Sequence, residues 1–340
     1  MDRNLLASVA ASLVQPGKGI LAADESSGTI KKRFDGIGVE STEESRRSYR
    51  EMLFTTRGAE DHVSGVILFD ETIRQSAKSG VPFSKLLSGR GIHPGIKVDA
   101  GAHALAGFPG EKITEGLDGL RARLAEYRDL GATFTKWRAV IAIGPDIPSG
   151  FCIDANAHAL ARYAALSQEA GLVPIVEPEV LMDGDHTIER CEEVTHRTLA
   201  RVFSELHAHR VALEGSLLKP NMVLSGKGCP TQAGPARVAE ATIRCFRSTV
   251  PGAVPGIVFL SGGQTPQQAT ENLNAMNALG THPWQLSFSY GRALQETALK
   301  AWGGKAENVP RAQDVFHHRA KLNGAARYGR YSTQMEVVAA

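Results

Sequence analysis

Short runs of β-branched and other apolar residues recur along the chain, and a polar or glycine-bearing turn follows each run. Eight runs are found, and their starts lie roughly 30 to 45 residues apart, which leaves room for a crossover helix each time. We predict a strand in each, at residues 19–23, 65–69, 95–98, 133–137, 173–177, 216–219, 257–260 and 286–290.

Apolar residues at helical spacing occupy the segments between these runs, and a first amphipathic helix is predicted at about 3–15 rather than a signal peptide. Further helices are predicted at 42–54, 119–130, 156–170, 188–209, 235–248 and 265–279. Continuous apolar strands that alternate with helices indicate a parallel sheet buried on both faces. Eight repeats favour an α/β fold closed into a (β/α)₈ TIM barrel, with an open doubly wound sheet as the alternative.

Domain organisation and partner classes follow from composition. No linker-like segment divides residues 1–340, so one domain is expected, with a short flexible tail at about 328–340. With 38 basic and 36 acidic residues, the net charge of +2 predicts neither a nucleic-acid nor a membrane partner. The cysteines lack CxxC spacing, which favours free thiols in a reducing cytoplasm; they are Cys152, Cys191, Cys229 and Cys245.

Lysines stand in or at the end of three predicted strands, where a charged side chain is costly unless it is paired or functional. They are Lys97, Lys136 and Lys219. In a parallel barrel these strand ends meet at the active-site face, so lysines and carboxylates there suggest Schiff-base chemistry. Lys219 lies in the most apolar surroundings and is the first candidate for the nucleophile. Lys136 would supply a neighbouring cation, and Glu177 would move protons. An ion-pair network in the barrel core is the alternative.

Two glycine-bearing loops follow the seventh and eighth predicted strands, and phosphate sites in such barrels commonly use these loops. The first contains Ser261, Gly262 and Gly263, and the second runs from Ser289 through Gly291 to Arg292. Glycines let backbone N–H groups approach an anion, and arginine adds a forked donor. Together the loops predict a phosphate site, although ordinary turns with a surface arginine would have the same sequence.

Nearly the whole chain, from about residue 16 to about 331, resembles the class I, Schiff-base fructose-1,6-bisphosphate aldolases. The matching strings are PGKGILAADES, GVILFDET, GIKVDAG, TKWRAVI, PIVEPEVLMDGDH, EGSLLKPNMV, FLSGGQ, SFSYGRALQ and ALKAWGG. The resemblance implies reversible cleavage of fructose 1,6-bisphosphate, a sugar-phosphate substrate, no metal or other cofactor, and a homotetramer.

Roles for individual residues are also implied by the resemblance. Lys219 would form the imine, Glu177 would shuttle protons, and Asp24 would take the proton of the C4 hydroxyl. Lys136 and Glu179 would orient the site, with Arg138 close by. The ketone-side phosphate would bind at Ser261, Gly262, Gly291 and Arg292. The other phosphate would bind near Ser26, Thr29, Arg33 and Lys97.

Two positions depart from the family pattern. Animal members end in a tyrosine that assists proton transfer, whereas this sequence ends in Ala340, and neither Tyr328 nor Tyr331 can be assigned that role. Thr29 stands where many relatives have serine, which keeps the hydroxyl.

Three other functions fit this sequence less well. A metal-dependent aldolase would need histidines around zinc, and the only metal-like string is 183–186 (DGDH), which is better explained as a polar turn. A scaffold role would leave the intact site residues unexplained. A transaldolase-like enzyme would usually need one phosphate site, whereas this sequence has candidates for two.

Overall fold

Eight parallel strands close into a barrel in a computed structural model that describes residues 2–337. Around the barrel the strand order is β1-β10-β9-β8-β7-β6-β3-β2. Its members are β1 (Gly19–Ala23), β2 (Val63–Leu68), β3 (His93–Lys97), β6 (Phe134–Ile141), β7 (Val173–Val180), β8 (Leu217–Leu218), β9 (Gly256–Phe259) and β10 (Gln285–Tyr290). The predicted (β/α)₈ barrel is confirmed, and the open doubly wound sheet is excluded.

Helices lie between and around the strands. They are α1 (Arg3–Leu13), α2 (Ser27–Asp35), α3 (Glu43–Phe54), α4 (Asp70–Ile73), α5 (Phe83–Ser88), α6 (Leu120–Asp129), α7 (Gly150–Glu169), α8 (Ile188–Ala208), α9 (Pro235–Thr249), α10 (Pro266–Ala278), α11 (Arg292–Trp302) and α12 (Val309–Ala326). Sequence-encoded caps start several of them. Thr42 and Ser45 form a capping box at α3, and Thr265 forms another with Gln268 at α10. Within residues 2–337, no helix is both long and apolar enough to cross a membrane.

The interior of the barrel at its amino-terminal end is filled by a cluster of apolar side chains, among them the ring of Phe134, and α1 packs against it. Phe134 of β6 lies against Gly95 of the adjacent β3 and Gly65 of β2, where a Cβ atom would approach its ring to 2.2 and 3.1 Å. Leu6 and Leu13 of α1 belong to the same buried apolar cluster as Phe134. Because apolar side chains fill this end, polar residues in the barrel interior lie at the carboxyl ends of the strands.

An antiparallel hairpin interrupts the repeat between β3 and β6, and the sequence pattern did not predict it. It consists of β4 (Gly101–Ala104) and β5 (Lys112–Glu115), paired in register from Gly101 with Glu115. Near the end of the chain, residues 333–336 form a 3₁₀ turn, and Glu336 pairs with Arg319 at 2.5 Å. Ala340 lies outside the described residues.

Candidate active site

A cavity of about 670 Å³ opens at the carboxyl ends of the barrel strands, within the usual range for small-molecule sites. All but one of the predicted site residues line it. They are Asp24, Ser26, Thr29, Arg33, Lys97, Lys136, Arg138, Glu177, Glu179, Lys219, Ser261, Gly262, Ser289, Gly291 and Arg292. The barrel therefore brings together residues that lie up to 268 positions apart in the sequence.

Strand periodicity explains how pairs of charges reach this cavity. Side chains two residues apart on a strand point to the same face, so Lys136 and Arg138 of β6 share one face, as do Glu177 and Glu179 of β7. The parallel register places Arg138 beside Glu177. Two adjacent strands thus carry complementary charges to the same end of the barrel.

Glu177 lies between the two buried lysines. Its Oε1 is 3.3 Å from Nζ of Lys219, and its Oε2 is 3.2 Å from Nζ of Lys136. All three side chains are no more than 5% exposed. The prediction that Lys136 acts as the cation next to Lys219 therefore needs refinement, because a carboxylate bridges the two ammonium groups and compensates both.

Asp24 completes this buried network through an ion pair of 2.7 Å with Nζ of Lys136. Burial by itself raises the pKa of Asp24, but the charges of Lys136 and Lys219 outweigh it and hold that pKa well below its ordinary value. Burial conversely lowers the pKa of Lys136, and the carboxylates of Asp24, Glu177 and Asp99 more than reverse this effect, so the pKa is raised. Asp24 and Lys136 are therefore both charged at neutral pH.

Two further ion pairs line the cavity. Arg138 donates from Nε to Glu179 at 2.5 Å. Lys97 pairs with Asp99 at 2.6 Å, and the other oxygen of Asp99 accepts a hydrogen bond from the backbone N–H of Arg138 at 3.2 Å. Asp99 thus links the end of β3 to β6. Asp99 was not among the predicted site residues.

The loops after β9 and β10 meet at Arg292, whose Nη2 donates to the carbonyl of Gly262 at 3.0 Å. Gly291 is the N-cap of α11 and has no side chain to cap the first helical N–H groups, which favours an anion there. The hydroxyl of Ser289 is buried and has no hydrogen-bond partner in the structure, as expected of a group that a ligand would satisfy. Ser261 is buried beside it in the same cavity.

The second group of predicted phosphate ligands lies at the start of α2. Ser26 is its N-cap, and its Oγ lies 3.2 Å from that of Thr29. Arg33 pairs closely with Glu25, and its Nη2 is also 3.8 Å from the position that a Cβ of Gly291 would occupy. The guanidinium group therefore reaches the loop predicted for the ketone-side phosphate, rather than only the other phosphate.

Gly263 is the one predicted phosphate ligand that does not line the cavity. Its N–H group donates to Sδ of Met182 at 2.9 Å, and a Cβ atom here would lie 2.1 Å from Cε of Lys227. Gly263 therefore packs against Met182 and Lys227 on the side of the loop that faces away from the cavity.

A buried network that holds the end of β1 was missed entirely. Glu25 is 4% exposed in its side chain and accepts from Arg50 at 2.9 Å and from Gln295 at 3.0 Å, in addition to Arg33. Gln295 also donates to the carbonyl of Ala22 at 2.6 Å. Only the position of Glu25 directly after Asp24 could have suggested this network.

The string at 183–186 is held by local contacts. Asp183 pairs with Lys227 at 2.9 Å, while His186 is buried and has no hydrogen-bond partner on either ring nitrogen in the structure. Among the described residues, these side chains do not form a group whose potential metal-ligand atoms converge. A group that no sequence string reveals does converge on the helical layer, where His158, Glu205 and His209 meet.

Comparison with known proteins identifies the family. Residues 5–340 match the family model described as fructose-bisphosphate aldolase class-I. The chain is 62% identical to the probable fructose-bisphosphate aldolase class 1 of Xanthomonas campestris pv. campestris, over 97% of this chain and 99% of that one. It is 56% identical to a cytoplasmic isozyme of fructose-bisphosphate aldolase from Spinacia oleracea, over 95% of this chain and 90% of that one.

A solved structure agrees with this assignment. The fructose-bisphosphate aldolase of Plasmodium falciparum, crystallised with TRAP and a small-molecule inhibitor, superimposes with a TM-score of 0.96 at 52% identity. The match covers 97% of this chain and 96% of that one. The chain therefore belongs to the class I fructose-bisphosphate aldolases, lyases that cleave fructose 1,6-bisphosphate into dihydroxyacetone phosphate and glyceraldehyde 3-phosphate.

Proposed function

We propose that Lys219 is the nucleophile of this aldolase and that Glu177 transfers the protons of imine formation. The position of Glu177 between Nζ of Lys219 and Nζ of Lys136, at 3.3 and 3.2 Å, carries the proposal. A lysine attacks a carbonyl only as the neutral amine, so a base must lie within reach of its Nζ. Glu177 is such a base, because one of its carboxylate oxygens lies 3.3 Å from that Nζ.

The first stage joins the substrate to the enzyme. Glu177 takes a proton from the Lys219 ammonium group, and the neutral Nζ adds to the C2 carbonyl. The resulting carbinolamine loses its hydroxyl as water when Glu177 returns that proton. The product is a protonated imine. Its positive charge then attracts the electrons of the C3–C4 bond.

Asp24 accepts the proton of the C4 hydroxyl in the next stage. As the proton leaves, the C4–O bond becomes a carbonyl, the C3–C4 bond breaks, and its electron pair forms an enamine with the Lys219 nitrogen. Glyceraldehyde 3-phosphate departs. The depressed pKa of Asp24 ensures that it enters this stage ionised, in the state that accepts a proton. Protonation at C3 and hydrolysis of the imine then release dihydroxyacetone phosphate.

The phosphates are bound away from the breaking bond. We assign the ketone-side phosphate to Ser261, Gly262, Ser289 and the start of α11 at Arg292, and the other phosphate to Ser26, Thr29 and Lys97. Arg33 lies between the two groups. Binding energy from these remote contacts fixes the reacting carbons over Lys219. Glu179, through its pair with Arg138, is proposed to orient the site.

The family resemblance further leads us to propose a homotetramer that works in the cytoplasm as a single-domain protein. Light scattering on the purified chain tests the assembly, since a tetramer has four times the 36.4 kDa of one chain. A monomer at micromolar concentration would refute it.

Borohydride trapping tests the chemistry directly. The protein is incubated with dihydroxyacetone phosphate in EDTA, reduced, digested and mapped by mass spectrometry. The expected result is one stable adduct on Lys219, lost in Lys219→Arg. Adduct on Lys136 instead would reassign the nucleophile. Cleavage activity that EDTA abolishes, with no adduct, would refute imine chemistry altogether.

A further inference from the structure

Three side chains that could bind a metal ion converge on the outer helical layer, where α7 packs against α8. His158 projects from α7, Glu205 from the last turn of α8, and His209 follows that helix. One potential ligand atom from each lies within 4.8 Å of the others. None of the three lines the active-site cavity, so catalysis does not account for the group.

The separations suit a first-row transition metal. Oε2 of Glu205 is 3.1 Å from Nδ1 of His158 and 3.6 Å from Nδ1 of His209. Ligands about 2.1 Å from a tetrahedral zinc ion lie roughly 3.4 Å apart, so the two measured edges bracket the required value. The two rings are 68° apart, with centroids 4.9 Å from each other, so they do not stack face to face.

A neighbouring ion pair already orients the carboxylate. Arg201 binds the other oxygen of Glu205, Oε1, at 2.6 Å, which leaves Oε2 directed at the histidines. The charge of Arg201 would oppose a nearby cation, but Asp154 binds its Nε at 2.8 Å and offsets that charge. Such outer contacts hold ligating carboxylates in place in known metal sites.

The partial exposure of the three side chains also suits an ion-binding site that solvent can reach. The side chain of His158 is 54% exposed, that of His209 22% and that of Glu205 12%, so an ion can enter and water can complete its coordination. We propose that His158, Glu205 and His209 bind a zinc-like divalent ion that links α7 to α8. Imidazole nitrogens favour Zn²⁺, Ni²⁺ and Cu²⁺ over Mg²⁺ and Ca²⁺, which prefer oxygen ligands.

Metal binding would break hydrogen bonds that the two histidines make in the metal-free protein. The Nδ1 of His158 contacts Glu205 at 3.1 Å, and the Nδ1 of His209 contacts the Glu205 backbone carbonyl at 2.9 Å. Metal coordination through His158 Nδ1 replaces the first contact and displaces its proton. Coordination through Nδ1 of His209, the atom that lies 3.6 Å from Oε2 of Glu205, breaks the second contact as well.

Calorimetric titration of the EDTA-treated and desalted full-length protein with ZnCl₂ tests the site at neutral pH. We expect one Zn²⁺ per chain with a micromolar Kd and no comparable signal with MgCl₂. The variants His158→Gln and His209→Gln should each weaken binding by about tenfold or more. His196→Gln provides the matched control, because His196 is an exposed histidine of α8 outside the group.

Spectroscopy and thermal stability separate this site from adventitious binding. Co²⁺ should give visible absorption bands that Zn²⁺ removes and that the double variant His158→Gln/His209→Gln lacks. The metal-free melting temperatures of the wild type and the variants should agree. Equal Zn²⁺ affinity in the double variant, or a wild-type Kd above about 1 mM, would overturn the proposal and leave a hydrogen-bonded contact only. Cleavage activity in EDTA should be unchanged, so a negative result leaves the aldolase mechanism untouched.

Discussion

Lys136 offers the sharpest test of the buried charge network, because one ammonium group compensates two carboxylates. In Lys136→Met the volume is nearly kept and the charge is lost. In the wild type, Nζ of Lys136 lies 2.7 Å from Asp24 and 3.2 Å from Glu177. At an effective dielectric constant of ~20 these separations correspond to attractions of about 6 and about 5 kcal/mol, before the cost of desolvation is subtracted.

The net effect on stability is smaller than these attractions. Removing one partner of a buried ion pair typically costs ~3–5 kcal/mol, because a charge is left uncompensated. For a chain of 340 residues, the unfolding entropy of ~2.1 cal/mol/K per residue converts this loss into a melting temperature lower by about 4–7 °C. As a control, Lys300→Met should lower it by less than about 1 °C, since the Lys300–Glu296 pair is on the surface.

The pH dependence gives a second, independent measurement. In the wild type the pKa of Asp24 lies below its ordinary value, so its stabilising contribution is present above that value and is lost as the pH falls through the folded pKa. Without Lys136, burial is opposed only by the charges of Lys219 and Lys97, and we expect the pKa of Asp24 to rise above its unfolded value. The variant then gains stability relative to wild type as the pH falls from 7 towards 5.

Calorimetric melting of both proteins across this pH range is the assay, with Lys136→Met/Asp24→Asn as the compensating variant. The double variant should melt above the single one, because the uncompensated carboxylate is gone. A loss below about 1 °C in Lys136→Met, or a loss that stays constant between pH 7 and 5, would refute the reasoning.

Other predictions concern phosphate binding, packing and the thiols. Arg292→Ala should raise KM for fructose 1,6-bisphosphate by ~10–150-fold, equivalent to ~1.5–3 kcal/mol, and Arg292→Lys should recover part of it; unchanged steady-state kinetics would contradict the assignment. Gly95→Ala should cost ~1–3 kcal/mol by clashing with Phe134, measured by thermal melting, and Phe134→Leu should restore stability. Burial raises the pKa of Cys152 to about 11 and that of Cys245 to about 12, so both should react with a thiol reagent only on unfolding.

Strand positions were the most predictable part of the fold, because the barrel strands are buried on both faces and appear as continuous apolar runs. The run at 257–260 corresponds to Gly256–Phe259, one residue earlier. The run at 133–137 was ended too soon, since β6 continues to Ile141. The charge of Arg138 made a strand end appear before it in the sequence. In the structure Glu179 of the adjacent strand compensates this charge, and the sequence of one strand does not reveal that pairing.

Contacts between distant segments account for what was missed. The β4–β5 hairpin is partly exposed and has no strong alternation of apolar residues, so periodicity gave no signal. His158 and His209 are 51 positions apart and meet only because α7 packs against α8. Gly263 was predicted as part of the glycine-bearing loop that starts at Ser261, but a loop can direct adjacent residues to opposite sides, and only Ser261 and Gly262 of this loop line the cavity.

The shared position of Glu177 connects stability with the reaction cycle. When Lys219 is an ammonium or a protonated imine, Glu177 has cations on both sides. When the C3–C4 bond breaks, the Lys219 nitrogen becomes the neutral nitrogen of an enamine, and only Lys136 remains to compensate Glu177. We therefore expect Lys136 to matter most at the enamine stage. In Lys136→Met this compensating charge is missing when the enamine forms, so kcat should fall more than KM rises.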